Sequence, residues 1–221
     1  MKNSRALAAL AFAMAAFATP AAAQAYPAQA VKIIVPFPPA GATDVVTRFL
    51  GQKLGEKWSQ SVVIENRPGA GGSIGSDLVA KAPHDGYTLL MATSSTHSIG
   101  PSLSKLPYDP NKDFKPISLL AKVPSLYLVR PDLPVKNLKE FIALAKSKPG
   151  QLNYGSAGNG SAGHLAMEYL KMASETFILH VPYRGTGPQL TDLLAGRLDA
   201  ASVGAPAVMQ FIKAGKLRCI A

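Results

Sequence analysis

Tyr154-Gly155-Ser156-Ala157-Gly158-Asn159-Gly160-Ser161-Ala162-Gly163-His164 is the stretch on which the fold of this chain turns. A short strand-like run, Gln151 to Tyr154, leads into it, and a helical pattern, Leu165-Ala166-Met167-Glu168-Tyr169-Leu170, leads out. Four glycines and two serines fall within nine residues, which leaves backbone N–H groups uncovered by side chains. The helix start adds its own unpaired N–H groups and the positive end of its dipole. A strand, a glycine-rich turn and a helix in that order predict a receptor for a negatively charged group.

The same junction recurs near the start of the chain. Ala30-Val31-Lys32-Ile33-Ile34-Val35-Pro36-Phe37 reads as a buried strand ended by proline, and Pro38-Pro39-Ala40-Gly41-Ala42-Thr43 as a loop. A helix follows from Asp44, with Val45, Val46, Phe49, Leu50, Leu54 and Trp58 on one face. Thr43 or Asp44 suits the first turn as a cap, and the alternative for Asp44 is direct ligand contact. Further strands are expected at Ser61–Glu65 and Tyr87–Ala92, with a helix from about Ser73 to Lys81 between them. The third strand runs into a polar cluster, Thr93-Ser94-Ser95-Thr96-His97. Alternating strands and helices imply a parallel sheet that binds ligands at the carboxyl ends of its strands. The polar loops after Val35, Met91 and Tyr154 stand at such ends and predict a cleft.

The proline-rich segment Pro101 to Pro116 separates this half from strands at Ile117–Ala121 and Ser125–Val129. A division near residue 120 gives one lobe of residues 26–120 and a second of 121–221. The second lobe opens with a helix from Asn137 to Lys148, in which Asn137 and Glu140 have capping-box spacing. Beyond the glycine-rich loop come a strand (Phe177–Val181), a loop carrying Arg184, and a helix (Gln189–Ala195). A strand (Leu198–Val203), a helix (Pro206–Ala214) and a last strand (Leu217–Ala221) complete the sequence. The fold class is α/β, with a mostly parallel sheet in each lobe.

Lys2 and Arg5, the apolar run Ala6 to Phe17, Pro20 and small residues beyond it form an export signal, with cleavage near Ala23 or Ala25. The run is too short to span a bilayer, and no other stretch is long and apolar enough, so no membrane insertion is expected after cleavage. The remaining basic residues are scattered and lack interleaved aromatic platforms, which argues against nucleic acid despite a net charge of +10. Cys219 is the only cysteine, so neither an internal disulfide nor paired-thiol metal ligation is available. The four histidines lack ligand spacing, and no metal or cofactor is expected.

Three motifs compete for the glycine-rich loops. Gly158-x-Gly160-x-x-Gly163 matches the dinucleotide fingerprint between a strand and a helix, but no acidic residue ends the next strand. Gly155 to Ser161 has phosphate-loop spacing, with serine where the lysine belongs. Gly71-x-Ser73-x-Gly75 matches the hydrolase elbow without the strand that must precede it. His164 either contacts a ligand or caps its turn. Asp199 is either a solvated turn residue or faces the cleft, where it would meet a ligand ammonium.

Several segments together resemble one family. They are Val35-Pro36-Phe37-Pro38-Pro39-Ala40-Gly41-Ala42-Thr43-Asp44, Glu65-Asn66-Arg67-Pro68-Gly69-Ala70-Gly71-Gly72, Asp85-Gly86-Tyr87-Thr88-Leu89-Leu90 and Tyr154 to Ser161. Val181-Pro182-Tyr183-Arg184-Gly185 and Ala195-Gly196-Arg197-Leu198-Asp199 belong to the same pattern. The chain is similar to the Bug-type (TctC) receptors, the extracytoplasmic solute-binding proteins of tripartite tricarboxylate transporters. The resemblance implies a two-lobed periplasmic binding protein that closes on a small carboxylate and delivers it to membrane permease subunits, without catalysis. It places the ligand loops at Pro39, Ala40, Gly41, Ala42, Thr43 and Asp44, and at Ser156, Ala157, Gly158, Asn159, Gly160 and Ser161. Ser94, Ser95, His97, His164, Arg184 and Asp199 complete the candidate set. The family continues past Ala221 to complete its first lobe, so either a fragment or a truncated product with an incomplete first lobe is expected. An exported serine esterase using Ser73 and a non-functional truncated remnant are the competing readings.

Overall fold

β-Branched runs decide where the sheets form. Residues 25–221 are described by a computed structural model, and the predicted export signal, but for Ala25, lies outside them. Val31–Val35 forms β1, flanked in parallel by β2 (Val62–Asn66) and β3 (Thr88–Leu90). The register pairs Ile33 with Ile64 and with Leu89. The central strand of a parallel sheet is covered on both faces, so it reads as an uninterrupted apolar run, and Val31, Ile34 and Val35 are fully buried. Helix α1 (Ala42–Trp58) follows β1 and lies close on this sheet; a Cβ on its Gly51 would sit 2.9 Å from Ile64. Helix α2 (Ser73–Ala80) joins β2 to β3.

The second sheet has five strands: β4 (Ser125–Val129), β5 (Asn153–Ser156), β6 (Leu179–Pro182), β7 (Ala200–Gly204) and β8 (Arg218–Cys219). Their order is β6-β5-β7-β4-β8. β5 runs parallel to β6 and β7, whereas β4 is antiparallel to β7 and β8. One face is packed by Phe141, Tyr154, Met167 and Ile178, with helices α4 (Leu138–Ser147) and α5 (Ala162–Ser174). The other is packed by Leu128, Leu193, Leu198 and Val208, with helix α6 (Thr186–Leu194). A short helix α3 (Gly100–Leu103) precedes β4, and α7 (Met209–Lys213) precedes β8. The two sheets share no strand.

The expected capping box at α4 forms in a shifted version, in which Glu140 reaches back to the residue before the cap. Asn137 accepts the Glu140 N–H at 2.9 Å, and the Glu140 carboxylate accepts the Lys136 N–H at 2.7 Å. Asn137→Ala should lower stability by about 1 kcal/mol in a urea titration; an unchanged midpoint would show that the cap contributes nothing.

Four local expectations are corrected. Ile117–Ala121 is not a strand but an irregular segment with Ile117 and Leu119 at 80% and 74% exposure. Strand composition is a preference for a pleated, half-buried surface, and no described strand lies alongside to supply one. The helices expected from Asp44, Leu165 and Gln189 each start earlier, at Ala42, Ala162 and Thr186. Pro188 fits the first turn of α6 because N–H groups there have no helical partner to lose. The polar cluster after β3 is wound into a π-helical turn, Ser95–Ile99, that runs into α3. The helix expected over Pro206–Ala214 is broken into a 3-10 turn, Ala205–Ala207, and α7.

Candidate functional site

The candidate site is built on two strand–loop–helix junctions, one leaving each sheet. In the first, Gly41 is extended (φ −76°, ψ 164°) and caps α1 without a side-chain hydrogen bond, leaving the first-turn N–H groups of the helix open. Ala40 is held at φ 66°, which an L-residue adopts only when its surroundings impose it. Those surroundings are Asp44, which is 3% exposed. Its Oδ2 accepts the Ala40 N–H and the Arg48 Nε–H, each at 3.0 Å. Its Oδ1 accepts the Asn66 amide at 2.8 Å, and that amide also donates to the Phe37 carbonyl at 3.0 Å. Burial alone would raise the Asp44 carboxyl, but the hydrogen bonds from Arg48, Asn66 and Ala40 outweigh it and hold the group below the usual carboxylate range. Both oxygens are engaged within the protein, so Asp44 shapes the loop from beneath.

In the second junction, Gly158 and Gly160 adopt φ 122° and 75°, conformations that favour glycine. Gly163 serves differently: a Cβ there would lie 2.2 Å from the Ser202 carbonyl oxygen, so α5 rests on β7 at a distance that only glycine permits. Several loop donors are satisfied internally. The Gly158 N–H donates to Ser156 Oγ, the Gly160 N–H to His164 Nδ1, and the His164 N–H to Ser161 Oγ, each at 3.2 Å. Ser161 is thus the N-cap of α5.

Glycines let the two sides touch. A Cβ on Gly185 would meet Pro38 at 2.3 Å, one on Gly160 would meet Leu103 at 2.6 Å, and one on Gly204 would meet Ala42 at 2.9 Å. Gly185 begins α6 without a side-chain cap, and a Cβ on Gly41 would lie 3.5 Å from Thr186 Oγ1. The open starts of α1 and α6 therefore face one another. A separate cavity of about 440 Å³ lies between Ala70, Gly71, Ser73, Ser95 and Leu103 on one side and Asn159 and Gly160 of the second junction on the other. No acidic or basic side chain lines it. Recognition there rests on backbone N–H groups and hydroxyls, which suit an anion without requiring a buried counter-charge.

The remaining candidates are dispersed. Ser94 is exposed, whereas Ser95 reaches the cavity. His97 bonds Thr96 Oγ1 at 2.9 Å, and its ring lies 4.8 Å from Phe114 and 6.1 Å from Tyr108. Burial in that aromatic cluster pushes the His97 imidazole down. Arg184 is exposed at the loop before α6. Asp199 stands at the amino end of β7, away from the loops. Its Oδ1 accepts Arg130 Nε–H and its Oδ2 the Asn153 N–H, both at 2.9 Å. The expectation that Asp199 faces the cleft is corrected accordingly: a residue before a parallel strand lies at the end opposite its ligand loops.

Ser73 follows a 3-10 turn, Ala70–Gly72, so the strand an elbow requires is missing. A different serine, Ser156, does have an imidazole at 2.7 Å, that of His180. It is fully buried and holds the Gly158 N–H, which makes it a brace. Among the described residues no cluster of three or more His, Cys, Asp or Glu side chains offers a metal site, and no helix is long and apolar enough to cross a membrane. His180, Asn66 and the Gly185–Thr186 helix start were not foreseen. Asn66 carried a signal, because it stands at the end of a strand directly opposite Val35. His180 carried none, because its partner Ser156 lies on the neighbouring strand.

Known proteins share this sequence pattern and fold. Residues 46–221 match the family model described as the tripartite tricarboxylate transporter family receptor, TctC. Protein BugT of Bordetella pertussis is 40% identical over 211 residues, which span 95% of this chain and 65% of that protein. A structure described as R. palustris Rpa4515 with adipate superimposes with a TM-score of 0.87 at 37% identity, covering 89% of this chain and 66% of its own. MatC from Rhodopseudomonas palustris with bound malate gives 0.82 at 34% identity, covering 88% and 67%. The chain thus spans about two thirds of the length of the relatives it matches.

Proposed function

The chain belongs to the TctC family of tripartite tricarboxylate transporter receptors, and from that premise we propose that it captures a small carboxylate between its two halves for delivery to a membrane permease. The observation that carries the reading is the pair of open helix starts, at α1 and α6, facing each other where the two halves of the protein touch. Two sets of backbone donors across one gap suit a ligand with an anionic group at each end. Adipate and malate, named with two of its structural relatives, are ligands of that kind. The ligand-binding residues on this reading are Pro39–Thr43 with Ser95, Ser156–Ser161 and Thr186, and Asp44 and His164 position the loops. The proposed location is the periplasm, reached by the export signal.

A thermal-shift screen of di- and tricarboxylates, acidic amino acids and aromatic acids tests this. A ligand present at 100 times its Kd should stabilise the fold by about 2.7 kcal/mol and raise Tm by several degrees. No shift with any compound of the screen overturns the reading.

A further inference from the structure

A cluster of titratable groups lies under the second binding loop. His164, on the first turn of α5, has its ring centroid 4.4 Å from that of His180 on β6. Tyr154 also stacks on His180, with centroids 4.8 Å apart and planes inclined by 18°. Ser156 Oγ is bonded to His180 Nε2 at 2.7 Å. On α5, one turn beyond His164, the Glu168 carboxylate takes the Tyr154 hydroxyl and the Lys171 ammonium, the latter at 2.7 Å. The groups facing the imidazole pair are therefore one carboxylate, one ammonium, one phenol and one hydroxyl.

The tautomer of His164 follows from its hydrogen bond. Nδ1 accepts the Gly160 N–H, so it carries no proton, and a neutral ring has its proton on Nε2. A protonated His164 has donors at both nitrogens and no acceptor for Gly160. Gly160 is itself buried and borders the cavity, where its N–H is one of the donors an anion would use. The imidazole and a bound carboxylate thus compete for one N–H group. Burial and then the neighbouring His164, with a smaller effect from Lys171, push His180 down against the opposing pull of Glu168. Two cations at ring contact repel, so a charge on both rings at once is disfavoured.

We propose that His164 is a proton-operated competitor for the Gly160 N–H, so that capture of a carboxylate is coupled to uptake of a proton at His164. The inference rests on the receptor reading for its ligand, and the amide–imidazole link itself does not. A proton on His164 both frees the donor and places a positive charge beneath the loop. Both effects strengthen anion binding, so affinity rises as pH falls through the range in which imidazoles ionise.

The test uses the whole chain, with L-malate and adipate as probes, and has two arms. Without ligand, the Gly160 amide resonance should move with the titration of the His164 ring in wild type. It should be independent of pH in His164→Asn, whose side-chain oxygen accepts the same N–H but does not ionise. A Gly160 amide that ignores His164 overturns the proposal. In the second arm, calorimetry in buffers of different ionisation enthalpy should show net proton uptake on binding near pH 7. Affinity should rise roughly fivefold between pH 7.5 and 6 in wild type, and His164→Asn should lack both effects. Binding without proton uptake, or uptake that survives in the variant, also overturns the proposal. If neither probe nor any compound of the wider screen binds, the receptor reading falls and the ligand coupling with it, whatever the first arm shows.

Discussion

Gly163→Ala should destabilise the protein by about 3 kcal/mol and lower Tm by roughly 6–12 °C. The added methyl would lie 2.2 Å from the Ser202 carbonyl oxygen, a backbone atom in the middle of β7 that cannot rotate aside. Relief requires α5 to lift from the sheet. The helix carries Met167 and Leu170 into the core on the same face, and its N-terminus holds the second binding loop. Loss of stability and loss of carboxylate capture should therefore appear together. Gly41→Ala is the control, because its φ is −76° and its nearest neighbour would be 3.5 Å away, an ordinary contact. Stability there should stay within about 0.5 kcal/mol of wild type. Equal denaturation midpoints for the two variants would refute the close helix–sheet approach.

Asp44→Ala is expected to lower stability by about 2–3 kcal/mol. It leaves the Ala40 N–H and the Asn66 amide without their acceptor, and nothing then imposes the positive φ on Ala40. The Arg48 side chain is half exposed and can turn to water, so its ion pair contributes only a small part. Asp44→Asn should be nearly as damaging, since its NH2 group points donors at donors. The pH dependence distinguishes the carboxylate from the other contacts. The folded-state value of Asp44 is held below the ordinary one, so its contribution is fully present above about pH 4. That contribution is lost as pH falls through the depressed folded value. Wild type should show this acid-side decline in chemical denaturation, and Asp44→Ala should lack that part of it. Parallel curves for the two proteins would remove Asp44 from the loop's support.

Much of this architecture was legible because it is written in local patterns. β1 shows as an unbroken β-branched run and α4 as a capping box, and each signal depends on residues a few positions apart. The Gly158-x-Gly160-x-x-Gly163 pattern was also legible, and its physics proved more general than its usual ligand. Two glycines make the turn and the third lets the helix meet the sheet, which any tight strand-to-helix junction requires. What stayed hidden depends on neighbours brought together by the fold. Uncovered N–H groups in the loop were expected, yet Ser156 and His164 occupy those of Gly158 and Gly160. The sequence leaves Asp199 either in a solvated turn or toward the cleft, because its position along β7 relative to the loops is a property of the sheet. Ile117–Ala121 has strand composition and no strand beside it, since pairing is not encoded in one segment alone.

The placement of β4 has a further consequence, which concerns time. β4 is the first strand of its sheet in the chain, yet it lies between β7 and β8, and it pairs with neither β5 nor β6. Leu128 and Val129, both fully buried in the finished sheet, have no strand to lean on until residues 200–204 and 218–219 arrive. Closing so long a loop is slow, and an apolar strand left waiting is open to wrong partners. The half of the protein that carries the glycine-rich loop therefore matures late, and a chain emerging end-first has most need of protection while β4 stands alone.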